Sequence, residues 1–206
     1  MEKRKYTLRK RAESQAETRA RIVEATMALH EELGPRNTTI SAVAERAGVQ
    51  RLTVYRHFPD EAALFQACTT DWLALNPPPP VPEGAADDEA REAALLDLYA
   101  YYRRTARMWT VSHRDVDLVP ALQGPMQAFL DYLAAYAEAL LPAGPRRGRG
   151  EGRKPAASAE ARAAAMLAVR FTTWRSLDEA SLPDRSMARL MANCIRVAEA
   201  MPRGAR

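Results

Sequence analysis

Apolar residues recur every three to four positions along most of this chain, which is the spacing of amphipathic helices. The first such stripe includes Ile22 and Leu29, and Gly34 and Pro35 stop it. Three shorter apolar segments follow, separated by very short joints, so the pattern predicts four helices between residues 17 and 75. Two short helices that meet at a glycine are the expectation for a helix-turn-helix.

The glycine at the centre of this pattern is Gly48. Thr38 or Thr39 can cap the short helix before it, and the helix after it, from Gln50 to His57, buries Val54. The outward positions of that second helix are Arg51, Leu52, Thr53, Tyr55 and Arg56. Arginine can bind guanine through two hydrogen bonds, threonine or leucine can contact a thymine methyl group, and tyrosine and histidine can reach phosphates. The pattern favours a DNA-recognition helix over the alternative, a solvated polar face.

Proline, glycine and basic residues divide the rest of the chain. The first eleven residues contain six basic groups and no apolar periodicity, and NPPPPVPEGAADD interrupts the helical pattern after residue 75. Such a proline run cannot form helix or sheet and acts as a semi-rigid spacer. The predicted organisation is a flexible basic arm at 1–16, a helix-turn-helix domain at 17–75, a linker at 76–87 and a helical domain at 88–206, with a disordered loop at 142–157.

Two helices are predicted near the C-terminus, at 158–177 and 184–201. Apolar residues of the last one follow a heptad-like spacing of 3, 4, 3 and 4, at Met187, Leu190, Cys194, Val197 and Met201. This spacing indicates that the two helices pack against another helix pair. A dimer interface is favoured over a bundle within one chain, because DNA recognition of the predicted kind requires a second copy of the DNA-binding unit. The expected dimer contacts are Leu167, Phe171, Met187, Leu190, Cys194 and Val197.

Composition supports an all-α fold of about nine helices. Ala, Leu, Arg and Glu dominate, and β-branched residues are scarce. The chain has no window of 18 apolar residues and its first residues are charged, so we expect neither a membrane span nor a secretory signal, and a cytoplasmic location. Cys68 and Cys194 lack the companions of a disulfide framework or zinc site and are expected to be small buried residues.

No catalytic motif is present in the sequence. The three histidines lack metal-ligand spacing, and there is no GxSxG, P-loop or GxGxxG motif, so we expect no enzyme, no metal and no cofactor. The net charge of +4 divides unevenly, with +3 in residues 1–70 and −6 in residues 71–141. A basic N-terminal third is compatible with a polyanionic partner.

From Thr38 to Phe65 the sequence resembles the TetR family of transcriptional regulators. The matching segments are Thr38-Thr39-Ile40, Ala44-Glu45-Arg46-Ala47-Gly48-Val49, Thr53-Val54-Tyr55-Arg56-His57-Phe58 and Ala63-Leu64-Phe65. Two positions depart from the family pattern. Gln50 stands where a small capping residue is usual, and Glu61 stands where a lysine is common. Gln50 is therefore expected to cap the recognition helix poorly, and Glu61 to lack a phosphate contact.

The resemblance implies a homodimer that places two recognition helices in successive major grooves of a palindromic, double-stranded operator. The implied DNA contacts are Thr39, Gln50, Arg51, Leu52, Thr53, Tyr55, Arg56 and His57. It also implies a C-terminal domain that binds a small-molecule effector, which would release a repressor from its operator. The candidate effector contacts are Tyr102, Met108, Trp109, His113, Met126, Phe129 and Trp174.

Two acidic residues hint at the charge of that effector. Asp115 and Asp117 lie in the acidic segment and favour a cationic or lipophilic-cation molecule. Two alternatives to the regulator stay open at this point. One is a DNA-binding protein that responds to no effector, and the other is an enzyme or small-molecule carrier built on a helical bundle.

Overall fold

A computed structural model describes residues 2–85, 87–142 and 157–201. Over these ranges the chain forms nine α-helices and one short 3-10 turn, so the prediction of an all-α fold is confirmed. The chain divides into two compact units. The first comprises Met1–Pro77 and Arg107–Met126, and the second comprises Pro78–Ala106 and Gln127–Arg206. No described helix is long and apolar enough to cross a membrane.

The helices follow one another with short connections except at the proline-rich segment. A 3-10 turn at Pro35–Asn37 lies between the first two helices. The helices are α1 (Glu2–Leu33), α2 (Ile40–Arg46), α3 (Arg51–His57), α4 (Glu61–Leu75), α5 (Asp88–Asp115), α6 (Pro120–Ala139), α7 (Ala159–Ala168), α8 (Phe171–Glu179) and α9 (Asp184–Ala200).

The first unit is built around one apolar cluster shared by α1 to α4. The cluster buries the residues that the periodic pattern assigned to the core of these helices, among them Ile22, Leu29, Val43, Val54 and Cys68. The unit also includes residues 107–126, which lie beyond the predicted boundary at residue 88. The helix-turn-helix therefore belongs to a larger unit than the predicted 17–75 domain, because the end of α5 and the start of α6 pack with it.

The first helix corrects the expectation of a flexible arm at 1–16. It begins at Glu2 rather than near residue 17. Residues 2–16 have no periodic apolar stripe, but they also contain no glycine or proline and are rich in Lys, Arg, Glu and Ala. These residue types have high helix propensity, which allows α1 to extend beyond its buried part.

Aromatic side chains fill the interior of the second unit. Tyr99, Tyr101, Tyr102 and Tyr136 are fully buried, and the Tyr102 ring contacts both Phe171 and Trp174. Further ring contacts join Tyr101 to Phe129 and Phe129 to Tyr132. Because each aromatic ring buries a large apolar area, this cluster accounts for much of the core of the unit.

The predicted single helix at 158–177 is wrong, because the chain forms two helices there. Arg170 has an extended conformation, with φ −74° and ψ 136°, and separates α7 from α8. The hydroxyl groups of Tyr99 and Tyr102 donate to the carbonyl oxygens of Ala168 and Val169 at 2.7 and 2.6 Å. These long-range hydrogen bonds satisfy buried carbonyl groups at the break.

The start of α6 contains three residues that commonly interrupt a helix, Pro120, Gly124 and Pro125. Here Pro120 is the first residue of α6 and Pro125 lies inside it. Proline is well suited to a first helical position, and the buried side chains of Leu122 and Met126 stabilise the turn that contains Pro125.

The described residues of the predicted linker at 76–87 form neither helix nor strand, as predicted. This linker is held by the second unit, since Tyr132 donates to the Pro79 carbonyl at 2.7 Å and the Ala85 amide donates to Ala139 at 2.8 Å. The predicted disordered loop at 142–157 lies largely outside the described residues, which end at Pro142 and resume at Ala157.

Candidate nucleic-acid interface

The turn between α2 and α3 depends on local backbone chemistry. Gly48 adopts φ +65°, in the left-handed region that favours glycine. Its amide donates to Glu45 at 3.1 Å, and the Val49 amide donates to Ala44 at 2.9 Å. These hydrogen bonds occupy carbonyl groups at the end of α2. The chain can then start α3 three residues after Gly48.

One face of α3 is open to solvent. Arg51, Leu52, Tyr55 and Arg56 are exposed, and they share a face because they lie three or four positions apart. Leu52 is 75% exposed and Tyr55 is 40% exposed. Buried Val54 holds the opposite side of the helix. An exposed face that combines two arginines with large apolar side chains is unlike an ordinary solvated surface and matches what a major groove selects.

The remaining predicted contacts on α3 are less open. Thr53 and His57 are half-buried, and Gln50 is exposed at the N-cap position, where its side chain makes no capping hydrogen bond. The expectation that Gln50 caps α3 poorly is confirmed. Burial lowers the pKa of His57 below its ordinary value, and the charges of Arg56 and Arg19 act in the same direction. A neutral imidazole can donate one hydrogen bond to a phosphate.

Thr39 stands at the N-terminus of α2 and is exposed. Its hydroxyl oxygen accepts a hydrogen bond from the Ala42 amide at 3.2 Å, which caps the helix. A hydroxyl that accepts in this way keeps its own hydrogen to donate. Thr39 can therefore cap α2 and donate to a phosphate oxygen at the same time.

Several contacts within the first unit fix the position of α3. Phe58 follows α3 and is buried, with the guanidinium of Arg19 lying 4.8 Å from its ring centre. On α2, Arg46 forms two hydrogen bonds with Glu32 of α1, at 2.9 and 2.7 Å. Arg46 is therefore engaged within the unit. The two arginines of α3, Arg51 and Arg56, form no ion pair with any other described residue.

A buried carboxylate joins the end of α5 to the turn that precedes α2. Asp115 is 1% exposed and accepts hydrogen bonds from the Arg36 amide at 3.1 Å and from Arg114 at 2.7 and 3.0 Å. Arg114 also donates to the Leu33 carbonyl at 2.8 Å. A Cβ atom on Gly34 would collide with the Arg114 guanidinium and the Asp115 carboxylate. We call Leu33, Gly34, Arg36, Arg114 and Asp115 together the Asp115 clamp.

The Asp115 clamp was not predicted from the sequence, and it corrects the effector hint drawn from Asp115. The hydrogen bonds from Arg114 hold the pKa of this carboxyl below its ordinary value, and the Arg36 amide adds to that effect. Its negative charge is thus already compensated by a cation of the protein and is not available to a cationic effector. Asp117 is exposed. Gly34 is the residue whose identity could have indicated this close approach, but from the sequence it was interpreted only as the end of a helix.

The seven candidate effector contacts do not come together in one unit. Tyr102, Phe129 and Trp174 lie in the second unit, where Tyr102 is 6.4 Å from Phe129 and 6.0 Å from Trp174 by ring centres. The other four lie in the first unit: Met108, Trp109, His113 and Met126. In that unit the Trp109 ring lies 6.0 Å from Trp72 and 6.3 Å from His113. A role for any of them in effector binding stays a prediction.

The candidate dimer contacts divide between the core and the surface. Phe171 and Met187 are fully buried within the chain, so a direct role for them in a dimer interface is contradicted by their packing. The other four are exposed: Leu167, Leu190, Cys194 and Val197. Exposure of Cys194 also corrects the expectation that both cysteines are buried, which holds for Cys68 alone.

The part of the chain that contains α2 and α3 matches a known protein family. Residues 22–68 match the family described as bacterial regulatory proteins, tetR family. A segment of 60 residues is 42% identical to the HTH-type transcriptional regulator TtgR of Pseudomonas putida. That segment covers 29% of this chain and 29% of TtgR. An uncharacterized HTH-type transcriptional regulator of Mycobacterium bovis is 32% identical over 85 residues, which cover 41% of this chain and 43% of that protein. The matches thus span less than half of these relatives.

Solved structures extend the similarity to most of the chain at the level of the fold. A TetR-like transcriptional regulator from Rhodococcus sp. RHA1 aligns with a TM-score of 0.53 and 14% identity, over 89% of this chain and 96% of that one. NalD of Pseudomonas aeruginosa, described as the secondary repressor of the MexAB-OprM multidrug efflux pump, aligns with a TM-score of 0.52 and 19% identity, over 90% and 96%. The named relatives are transcriptional regulators rather than enzymes.

Proposed function

We propose that this chain is a DNA-binding transcriptional regulator of the TetR family, whose model matches residues 22–68, and that it acts on a palindromic operator. The observation that carries the proposal is the exposed face of α3, where Arg51 and Arg56 flank Leu52 and Tyr55. In a major groove the arginines bind guanine edges, and Leu52 contacts a thymine methyl group. Thr53 faces a base from the edge of this surface.

The phosphate contacts in this proposal come from residues at the borders of α3. Thr39, Tyr55 and His57 donate to phosphate oxygens, and Gln50 lies at the N-cap of the recognition helix. Such contacts set the register of the protein on the duplex, whereas base contacts supply the specificity. Glu61 begins α4 with a negative charge, which supports the helix dipole but repels a phosphate. Operator affinity consequently depends on α3 and Thr39 more than on α4.

Two copies of α3 are required to bind both halves of a palindrome, so we propose a homodimer. The exposed apolar residues Leu190 and Val197 of α9 and Leu167 of α7 form the contact surface, together with Cys194. Contiguous exposed apolar side chains on two helices are typical of protein interfaces. The spacing between the two copies of α3 then sets the distance between half-sites at about one helical turn, roughly 34–36 Å, or somewhat more.

We further propose that the regulator is a repressor that a small-molecule effector releases from DNA. Support comes from the division into two compact units, to both of which α5 contributes residues. The C-terminal part of α5 ends in the Asp115 clamp, which contacts the turn before α2. A displacement along α5 would therefore reach the helix-turn-helix and change the fit of the two recognition helices to one operator.

The proposal is tested by selecting DNA fragments with the purified full-length chain and sequencing those that are bound. We expect a palindromic motif, and binding to it should fall by about 5- to 100-fold in Arg51→Ala and in Arg56→Ala, the cost of one bidentate base contact. Arg185→Ala is the matched control, because Arg185 is an exposed arginine on α9. Failure to enrich any motif, or equal losses in all three variants, would contradict the proposal.

A further inference from the structure

A cavity of about 330 Å³ lies within the first unit, beside the helix-turn-helix. Its wall is formed by the C-terminal half of α1, the N-terminal turns of α2 and α4, and the start of α6. Apolar side chains dominate the wall, including Ile40, Leu64, Phe65 and Val119. A mostly apolar space at the lower end of the range of about 300–1,000 Å³ is typical of small-molecule sites. None of the seven candidate effector contacts lines it.

The main polar group in this wall is the imidazole of His30. The His30 side chain is buried, and its Nδ1 atom lies 3.5 Å from the Sγ atom of Cys68. Burial lowers the pKa of His30 to about 4 and raises the pKa of the Cys68 thiol to about 12. Near neutral pH the thiol therefore keeps its proton. In the tautomer in which that thiol donates to Nδ1, the imidazole carries its own hydrogen on Nε2, which is the donor that this ring can offer to an occupant.

The other polar groups of the wall are less suited to hold a ligand. The Thr26 hydroxyl donates to the Ile22 carbonyl at 2.8 Å, and the Thr38 hydroxyl donates to the Gly34 carbonyl at 3.0 Å. Glu61 is exposed and adds a negative charge to the rim, which disfavours an anion. The wall thus combines apolar contact, one buried donor and an acidic rim.

We propose that this cavity binds a small uncharged molecule with a flat apolar body and one hydrogen-bond acceptor, such as an aromatic ketone. The apolar body packs between Leu64, Val119 and the Phe65 ring, whose centre lies 5.4 Å from that of His30. The carbonyl oxygen accepts from His30 Nε2. An aromatic ring between apolar walls gains most from burial, and a single well-placed donor sets its orientation.

The cavity shares one residue with the proposed DNA interface, and this part of the inference rests on the proposed function. Thr39 lines the cavity and is also a proposed phosphate contact. The cavity further contacts the first turn of α4 through Glu61 and Ala62. A bound molecule that packs against Thr39 changes the position of the α2 N-terminus. Occupation of the cavity and operator binding therefore oppose each other.

Binding is tested with acetophenone as the probe, added to the full-length, isotope-labelled chain and followed by nuclear magnetic resonance. We expect saturable shifts at the amides of Thr39, Leu64 and Ala121 and at the His30 imidazole. Ethylbenzene has a similar size but no acceptor, and benzoate adds a negative charge. Each should bind at least fivefold more weakly than acetophenone, because one lacks the His30 hydrogen bond and the other is repelled by Glu61.

Two variants and one matched control separate the site from general effects on folding. Ala121→Phe places a ring into the cavity wall and should abolish binding, whereas Ala128→Phe lies on an exposed part of the same helix α6 and should not. His30→Phe should keep an apolar site but bind acetophenone and ethylbenzene equally. The proposal is overturned if shifts do not saturate, if they fall on the second unit, or if Ala121→Phe binds as tightly as the parent chain.

The effect on DNA is measured separately, so that the two proposals fail independently. Saturating acetophenone should weaken binding to the selected operator at least fivefold in the parent chain and leave Ala121→Phe unchanged. Operator binding without any probe binding would reject the cavity site and keep the regulator. Saturable probe binding in a chain that selects no DNA would support the site and reject the proposed function. Probe binding that leaves operator affinity unchanged would reject the coupling through Thr39.

Discussion

Single residues of the first unit depend on contacts that join segments distant in the sequence. Gly34 and Asp115 are the clearest pair, because the guanidinium of Arg114 and the carboxylate of Asp115 occupy the space where a Cβ atom of residue 34 would lie. Gly34 also has φ +87° and ψ 156°, a conformation that is almost restricted to glycine. The same glycine thus ends α1 and leaves room for the side chains of Arg114 and Asp115.

Gly34→Ala should lower the free energy of unfolding by about 2 kcal/mol or more, because it combines a strained conformation with a steric collision. Urea unfolding followed by circular dichroism measures this change. Gly124→Ala is the control: Gly124 lies inside α6 with nothing within 4 Å of an added Cβ atom. Alanine there should change the free energy of unfolding by less than about 1 kcal/mol, because the helix propensity that it gains is opposed by the contact of its Cβ atom with the ring of Pro125. Equal effects of the two substitutions would contradict the structural role of Gly34.

His30 should make stability depend on pH in a defined window. Its pKa is lowered by burial to about 4 in the folded chain, an effect that the charge of Asp115 opposes, against about 6.5 for the unfolded side chain. Between these values the unfolded state binds more protons, so stability falls as pH decreases from about 6.5. His30 contributes at most about 1.4 kcal/mol per pH unit to the dependence of the free energy of unfolding on pH.

Urea unfolding between pH 7 and pH 5 tests this prediction above the range in which most carboxylates titrate. His30→Gln should reduce the slope in that range, because the group whose pKa is lowered by burial is then absent. An unchanged slope in His30→Gln would show that other groups take up the protons.

Among the helices, the break between α7 and α8 shows how distant residues determine where an element ends. The sequence around Arg170 contains no glycine or proline, so its periodic apolar residues predicted one continuous helix. Buried tyrosine hydroxyls of α5 instead donate to the carbonyl groups of Ala168 and Val169. A hydrogen bond between residues 67 or 69 positions apart leaves no signal in a local pattern.

Tyr102→Phe should destabilise the chain by about 1–3 kcal/mol, because the Val169 carbonyl is buried and loses its donor. Tyr132→Phe is a matched control, since its hydroxyl donates to the Pro79 carbonyl from a half-buried position where water can replace it. The control should therefore lose less. Equal denaturation midpoints for Tyr102→Phe and the parent chain would rule out a stabilising role for this hydroxyl.

The two apolar faces of α9 bear on the assembly of the protein. Met187, Met191 and Ile195 point into the core, and Leu190 and Val197 remain 44% and 50% exposed on the adjoining face. The heptad spacing assigned the buried Met187 and the exposed Leu190 and Val197 to one face of α9. Separating them leaves an exposed stripe on α9 that is narrower than the predicted interface but continuous along the helix.

Leu190→Glu combined with Val197→Glu should convert the proposed dimer to monomers, because charged side chains would then be buried in the interface. Sedimentation velocity on the full chain measures the change. Leu118→Glu, at a residue that is 55% exposed in the first unit, is the matched control and should leave the assembly state unchanged. A parent chain that is monomeric, or a double variant that remains dimeric, would contradict the proposed interface.

Local patterns were sufficient for the helix-turn-helix and for the all-α fold. Capping at Thr39, the turn at Gly48 and the exposed face of α3 all follow from neighbours within a few residues, so the periodic pattern contains them. The Asp115 clamp, the cavity beside His30 and the tyrosine hydrogen bonds at the α7–α8 break depend on segments about 70 to 95 residues apart. Long-range packing and burial create these features, and the surroundings that they give a side chain are absent from its local sequence.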